Sequence, residues 1–209
     1  DLRMSRGLGD VYKRQIIAIP AGISERINSK RKMIDLKNDY TRGAHPDVLE
    51  QLVRTNLEST PGYGADKYCR TATDLILTEC GCDGGAVYFL VGGTQMNQLM
   101  VDAMLSQVEG VIAVREAHIN VHEAGAIEAT GHKVLTIPSH DGRLTAEDLE
   151  QFMTEFYADD TWPHMVIPGM VYISHPTEYG TLYSKKELEE LSIAVSYTHL
   201  RAHETCADL

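Results

Sequence analysis

The sequence predicts an α/β protein, a three-layer α/β/α arrangement around a mainly parallel sheet. Three observations carry this expectation. Short apolar runs of strand length alternate with stretches in which apolar residues return every three or four positions. The spacers between the runs are long enough to hold a helix, which favours parallel pairing through right-handed crossovers. With 209 residues, 43% hydrophobic and 23% charged, the chain can form a core without staples, and its composition is neither disordered nor collagen-like. In such a sheet, ligands bind at the carboxyl ends of the strands.

The elements follow in order. Val48, Leu49, Leu52, Val53 and Leu57 lie at helical spacing behind Pro46-Asp47, and Pro61-Gly62 stops that helix. A second helix is expected from Lys67 to Cys80, ended by Gly81. The run Ala86–Val91 reads as a strand, and after Gly92-Gly93 comes a helix carrying Met96, Leu99, Met100, Ala103 and Met104. Val111–Val114 reads as a second strand, Val121–Ala129 as a short helix and Lys133–Ile137 as a third strand. Asp141-Gly142 makes a turn, and Thr145 with Asp148 opens a helix through Phe156. Met170–Ser174 reads as a fourth strand, and Ser184 with Glu187 forms a capping-box pattern for the last helix.

Charge and cysteines exclude several classes. Nineteen Lys and Arg against 30 Asp and Glu give a net charge of -11, which disfavours a nucleic-acid footprint but leaves room for a small anion held by backbone N–H groups. Cys69, Cys80, Cys82 and Cys206 form no C-x-x-C pair and no even framework, as expected for thiols in a reducing compartment. No run approaches the ~18 apolar residues of a membrane span. The early run Ile16–Ile23 is interrupted by Pro20 and Gly22, and no cleavage signal follows it. The expectation is a cytoplasmic protein.

Residues 1–15 and 196–209 lack sustained periodicity and stand outside the strand–helix alternation. They read either as disordered native tails or as non-native ones, because VYKRQ and VSYTHLRAHET resemble tails shared by unrelated translated environmental sequences. The second reading is preferred, so the expected organisation is a non-native tail over 1–15, a lead-in over 16–33, a partial domain over 34–195 and a second non-native tail over 196–209.

Three segments carry candidate chemistry, each at an expected strand end. Tyr88–Asn97 holds Gly92, Gly93 and Thr94 where a strand passes into a helix, so free N–H groups and the positive end of a helix dipole face one point. Neither the Walker pattern nor G-x-G-x-x-G is present, and a plain turn capped by Thr94 fits equally well. Ala117–Gly125 holds His118 and His122 four apart with Glu123 behind them. That spacing permits a metal pair, although the order H-E-x-x-H is absent and a third ligand is unassigned, with His132 and His140 available. Ile173–Thr181 places Ser174, His175, Thr177 and Glu178 after the next strand, and Ser174 lies in no G-x-S-x-G elbow. Polar residues at three successive strand ends favour a pocket.

Taken together, MIDLKNDYTRGAHPDVLEQL, GYGADKY, FLVGGTQMNQ, AHINVHEAGA, SHDGRLTAEDLE and ISHPTEYGTLYSKKELEEL resemble the threonine aldolase / β-eliminating lyase family of pyridoxal-phosphate enzymes, of the aspartate-aminotransferase fold type, from about Met33 to Ala194. The resemblance implies a large-domain fragment that binds pyridoxal 5'-phosphate. It places Gly92, Gly93 and Thr94 at the cofactor phosphate, with Gly92 replacing the family's serine, and His118 against the pyridine ring. Glu123 and Thr177 are further cofactor contacts in this reading. Asn38 falls near the substrate carboxylate and Tyr63 in a loop that reaches across a dimer interface. His118 and His164 are the candidate bases for a substrate hydroxyl.

The implied reaction is cleavage of a β-hydroxy-α-amino acid, L-threonine or L-allo-threonine, to glycine and an aldehyde, in a homodimer or homotetramer. The family's D-G-A-R motif and its Schiff-base lysine do not occur, and none of Lys13, Lys30, Lys32, Lys37, Lys67, Lys133, Lys185 and Lys186 matches the lysine's position. The polypeptide as written is therefore expected to be inactive. Alternatives are a β-eliminating lyase acting on another amino acid, a metal-dependent hydrolase using His118 and His122, and a non-catalytic relative that keeps a phosphate pocket.

Overall fold

The computed structural model describes residues 43–82, 84–198 and 200–206. The chain divides into two compact units, Asp1–Thr60 and Pro61–Leu209. In the first, α1 (Pro46–Thr55) starts where Pro46 supplies a pre-set φ and His45 accepts the Asp47 N–H at 3.3 Å.

The second unit contains α2 (Lys67–Glu79), α3 (Gly93–Met104), β1 (Glu109–Val114), α4 (His118–Val121), β2 (Val134–Ile137), α5 (Ala146–Ala158), β3 (Ile167–His175), α6 (Lys185–Tyr197) and β4 (Arg201–Cys206). The two expected caps form: the Thr145 hydroxyl accepts from Asp148 N, and Ser184 and Glu187 complete both halves of a capping box. The structure adds a third, in which the Asp66 carboxylate accepts the Tyr68 and Cys69 N–H groups.

Among the described residues four strands form one parallel sheet, in the order β2-β1-β3-β4. Gly110 through Val114 of β1 are buried, as a strand covered on both faces requires. Around β1 and Met170, Val171 and Tyr172 of β3 gather Leu149 and Met153 from α5, Leu191, Ala194 and Val195 from α6, and Val101 and Leu105 at the end of α3. The β1–β3 register shifts at Gly110/Val111. There a side chain would collide with the sheet, since a Cβ on Gly110 would stand 2.6 Å from the Lys133 carbonyl oxygen.

Three expectations are corrected. Ala86–Val91 forms no strand, and Tyr88, Phe89, Leu90 and Val91 are exposed. A strand needs a hydrogen-bonding neighbour, and no described strand runs beside this apolar segment. Val121–Ala129 is not one helix: α4 ends at Val121, Ala124 (φ 51°) and Gly125 (φ 77°) turn the chain left-handed, and a separate 3₁₀ turn follows at Glu128–Thr130. Residues 201–206 do join the alternation, pairing with β3 from Met170↔Arg201 to His175↔Cys206. Backbone groups make that ladder, so an outer strand forms without the apolar pattern that identifies a buried one. Among the described residues no helix is long and apolar enough to cross a membrane.

Candidate functional site

The chain runs from β1 outward to β2, then returns to the other side of β1 as β3. The strand order therefore reverses between β1 and β3, and the crevice at their carboxyl ends is where an open parallel sheet accepts a ligand. Val114 at the end of β1 with Glu116 and Ala117 beyond it, and Ser174 near the end of β3 with Thr177 and Glu178 beyond it, line that crevice together with Gly142 and Tyr183.

His118 opens α4 directly beyond β1. Its Nδ1 lies 3.1 Å from Glu178 Oε1, and its Nε2 lies 3.9 Å from Glu123 Oε1. His122, one turn on, brings Nε2 to 3.6 Å from Glu178 Oε2, and the two imidazole centroids are 5.4 Å apart. The Glu123 side chain is 1% exposed. Its Oε1 accepts from Asn97 Nδ2 at 2.6 Å, while its Oε2 is buried with no hydrogen-bond partner. Both fall in the candidate segments, but the sequence assigns neither Asn97 nor Glu178 a role. Asn97 sits one turn into α3 and reads as an ordinary polar helix position, and Glu178 reads as a turn residue.

Asn97 also joins this cluster to α3. With Gln98 Nε2 donating to Ala126 O at 3.1 Å, it fixes the first turns of α3 against the His118–Ala126 segment. Gly92 precedes the helix in extended conformation with no side-chain cap, and Gly92, Gly93 and Thr94 are exposed. A Cβ on Gly92 or Gly93 would meet no atom within 4 Å. The open N-terminus leaves uncapped N–H groups and the Thr94 hydroxyl free to face an anion.

The remaining expected residues fall elsewhere. The Thr177 hydroxyl is engaged within its own loop, meeting Thr181 Oγ1 at 2.5 Å and accepting the Tyr179 and Thr181 N–H groups at 3.3 Å. Tyr63 is fully exposed in a left-handed turn with φ 61°. Asn38 lies outside the described residues. His164 ends the Trp162–His164 turn ahead of β3, at the amino end of the strand whose carboxyl end leads to Glu178. Strand β3 spans Ile167–His175, roughly 26 Å at ~3.3 Å per residue, and parallel pairing keeps its two ends on opposite edges of the sheet. The metal reading is corrected, because no three His, Cys, Asp or Glu side chains among the described residues converge as an ion site. His132 Nδ1 bonds Glu109 O at 2.9 Å and His140 is exposed.

The profile of the β-eliminating lyase family matches residues 35–203. The chain belongs to the β-eliminating lyase family. It is 28% identical over 170 residues to the low specificity L-threonine aldolase of Pseudomonas sp. (strain NCIMB 10558), covering 79% of this chain and 47% of that protein. The solved structure of Leishmania major threonine aldolase is 42% identical with a TM-score of 0.74, over 80% of this chain and 48% of that one. An archaeal alanine:glyoxylate aminotransferase shares the fold at 18% identity and a TM-score of 0.57, over 76% and 39% of the two chains. The chain spans about half the length of the relatives it matches.

The β-eliminating lyase family depends on pyridoxal phosphate, and the described residues fit one part of that group. An uncapped helix start with open space over two glycines suits its phosphate, and a half-exposed imidazole suits an aromatic ring. For covalent attachment the described lysines offer nothing at this crevice. Lys185 and Lys186 pair with Glu189 and Glu190 on α6, Lys67 lies over the Tyr68 ring and Lys133 stands ahead of β2.

Proposed function

We propose that the enzyme to which this segment belongs cleaves a β-hydroxy-α-amino acid, L-threonine or L-allo-threonine, to glycine and an aldehyde with pyridoxal 5'-phosphate. The observation that carries the reading is the placement of His118 and Glu123, held by Asn97 to the helix that begins at Gly93, in a chain 42% identical to a threonine aldolase. The N–H groups at the start of α3 and the Thr94 hydroxyl bind the phosphate. His118 lies against the ring and takes the proton of the substrate β-hydroxyl, as a neutral imidazole can near neutral pH. When bound, the cofactor supplies the sink for the electron pair of the broken Cα–Cβ bond.

This polypeptide by itself does not turn over in this reading. None of its lysines falls where the family attaches the cofactor, and D-G-A-R is absent from its sequence. A dimer-based assembly and a cytoplasmic location complete the proposal. The test is a product assay on the purified full-length enzyme loaded with cofactor and given L-threonine, L-allo-threonine and L-serine. Glycine with the matching aldehyde supports the aldolase, whereas a keto acid with ammonia replaces it with the β-elimination reading.

A further inference from the structure

The motif reading leaves Glu178 without a role, and the structure places it against both histidines of α4. Its Oε1 lies 3.1 Å from His118 Nδ1 and its Oε2 lies 3.6 Å from His122 Nε2. The Glu178 side chain is 25% exposed, so it is partly shielded from water. A carboxylate only accepts hydrogen bonds, so the hydrogen of a neutral His118 sits on Nδ1 in this contact and the lone pair on Nε2. Nε2 then lies on the side of the buried Glu123 carboxylate, 3.9 Å away and beyond hydrogen-bond distance. The groups around the ring are thus Glu178 and His122 on one side and Glu123, fixed by Asn97, on the other.

We infer that Glu178 is a positioning residue that holds His118 in the Nδ1–H tautomer and keeps Nε2 available as the proton acceptor. A base oriented by a hydrogen-bonded third group is a recurrent arrangement for proton transfer. His122 Nε2 flanks the second Glu178 oxygen at 3.6 Å, outside hydrogen-bond distance. The catalytic use of this tautomer rests on the aldolase reading above, but the tautomer itself does not.

The test is ¹⁵N NMR of the imidazole rings in this chain at pH ~8.5, about two units above the ordinary histidine pKa, where neutral tautomers dominate. His132, also held through Nδ1, by Glu109 O, reports whether each variant keeps the fold. The wild-type chain is expected to show His118 as Nδ1–H. Glu178→Ala is expected to move most of the His118 population to Nε2–H with His132 unchanged, and Glu178→Gln, which keeps an acceptor oxygen, to restore most of the Nδ1–H form. A wild-type His118 already protonated on Nε2, or a Glu178→Ala variant with an unchanged His118 signature, overturns the inference. So does loss of the His132 signature in both variants, which would make Glu178 a folding residue. These readouts do not depend on turnover, so a failed aldolase assay and a failed tautomer test remain separate results.

Discussion

Asn97 Nδ2 donates to Glu123 Oε1 at 2.6 Å, joining the start of α3 to the segment that carries His118. Both residues are buried, and the second Glu123 oxygen has no hydrogen-bond partner. Removing the donor leaves a buried carboxylate with less compensation still. Asn97→Ala is expected to lower stability by about 2–3 kcal/mol, the range for lost hydrogen bonds to charged groups. Urea denaturation checks this, and an unchanged midpoint would show that the pair is dispensable.

Thr94 offers the one side-chain hydroxyl at the open start of α3. In the full-length enzyme, Thr94→Ala is expected to weaken cofactor binding by about five- to tenfold, the effect of one hydrogen bond of ~1 kcal/mol or slightly more. Thr94→Ser should recover most of it. Equilibrium titration of cofactor absorbance distinguishes this from a Thr94 that serves only as a helix residue, for which both variants would bind as the wild type does.

Tyr183 accepts the buried Leu144 N–H at 2.7 Å, and burial pushes its phenol up to about 12. A group whose folded pKa is raised stabilises the fold below its ordinary value near 10. That contribution is lost as pH climbs from about 10 towards 12. Tyr183→Phe should cost about 1–3 kcal/mol at neutral pH, because Leu144 N–H loses its partner. It should also flatten the fall in stability above pH ~10. Thermal melts from pH 7 to 11 measure both effects.

Arg143 ties the Asp141 turn to the first turn of α6, meeting Asp141 Oδ2 and Glu187 Oε1 at 2.6 Å each. The Arg143 hydrogen bond holds the Asp141 carboxyl below its usual range, and the Ser184 contacts, with Arg143 behind them, do the same for Glu187. Lowered carboxyls stabilise the fold above their ordinary pKa, and that stability disappears as pH drops below about 4. Arg143→Met should melt lower than the wild type at pH 7, with the difference closing by pH ~3. A gap that persists at low pH would point to lost packing by the arginine stem instead.

Gly110 sits where β1 shifts register against β3, and a Cβ there would approach the Lys133 carbonyl oxygen to 2.6 Å and Val166 Cγ1 to 2.9 Å. Backbone cannot yield as a side-chain tip can. Gly110→Ala is expected to cost about 1–3 kcal/mol, as overpacking typically does. Denaturant midpoints of the variant test it, and a wild-type midpoint would mean that the β1–β2 spacing adjusts freely.

The sequence alone determined the elements whose signals are local. Thr145 and Ser184 cap the helices they were expected to cap, and the apolar run of β1 announced a buried strand. The order of motifs also announced the family. Whatever depends on a distant neighbour was decided by the tertiary structure. Tyr88–Val91 has strand composition but no described strand beside it, whereas Arg201–Cys206 has no strand pattern and pairs fully with β3. Hydrogen-bond ladders are made between segments, so composition can favour a strand without providing its partner. The same holds at the site. His118 stands out in its motif, but its contact with Glu178, 60 residues away, exists only because β1 and β3 are adjacent, and the Asn97 bond that fixes Glu123 from 26 residues upstream exists only because α3 lies against the segment that follows α4. His164 shows the converse, since strand direction sends it to the opposite edge of the sheet.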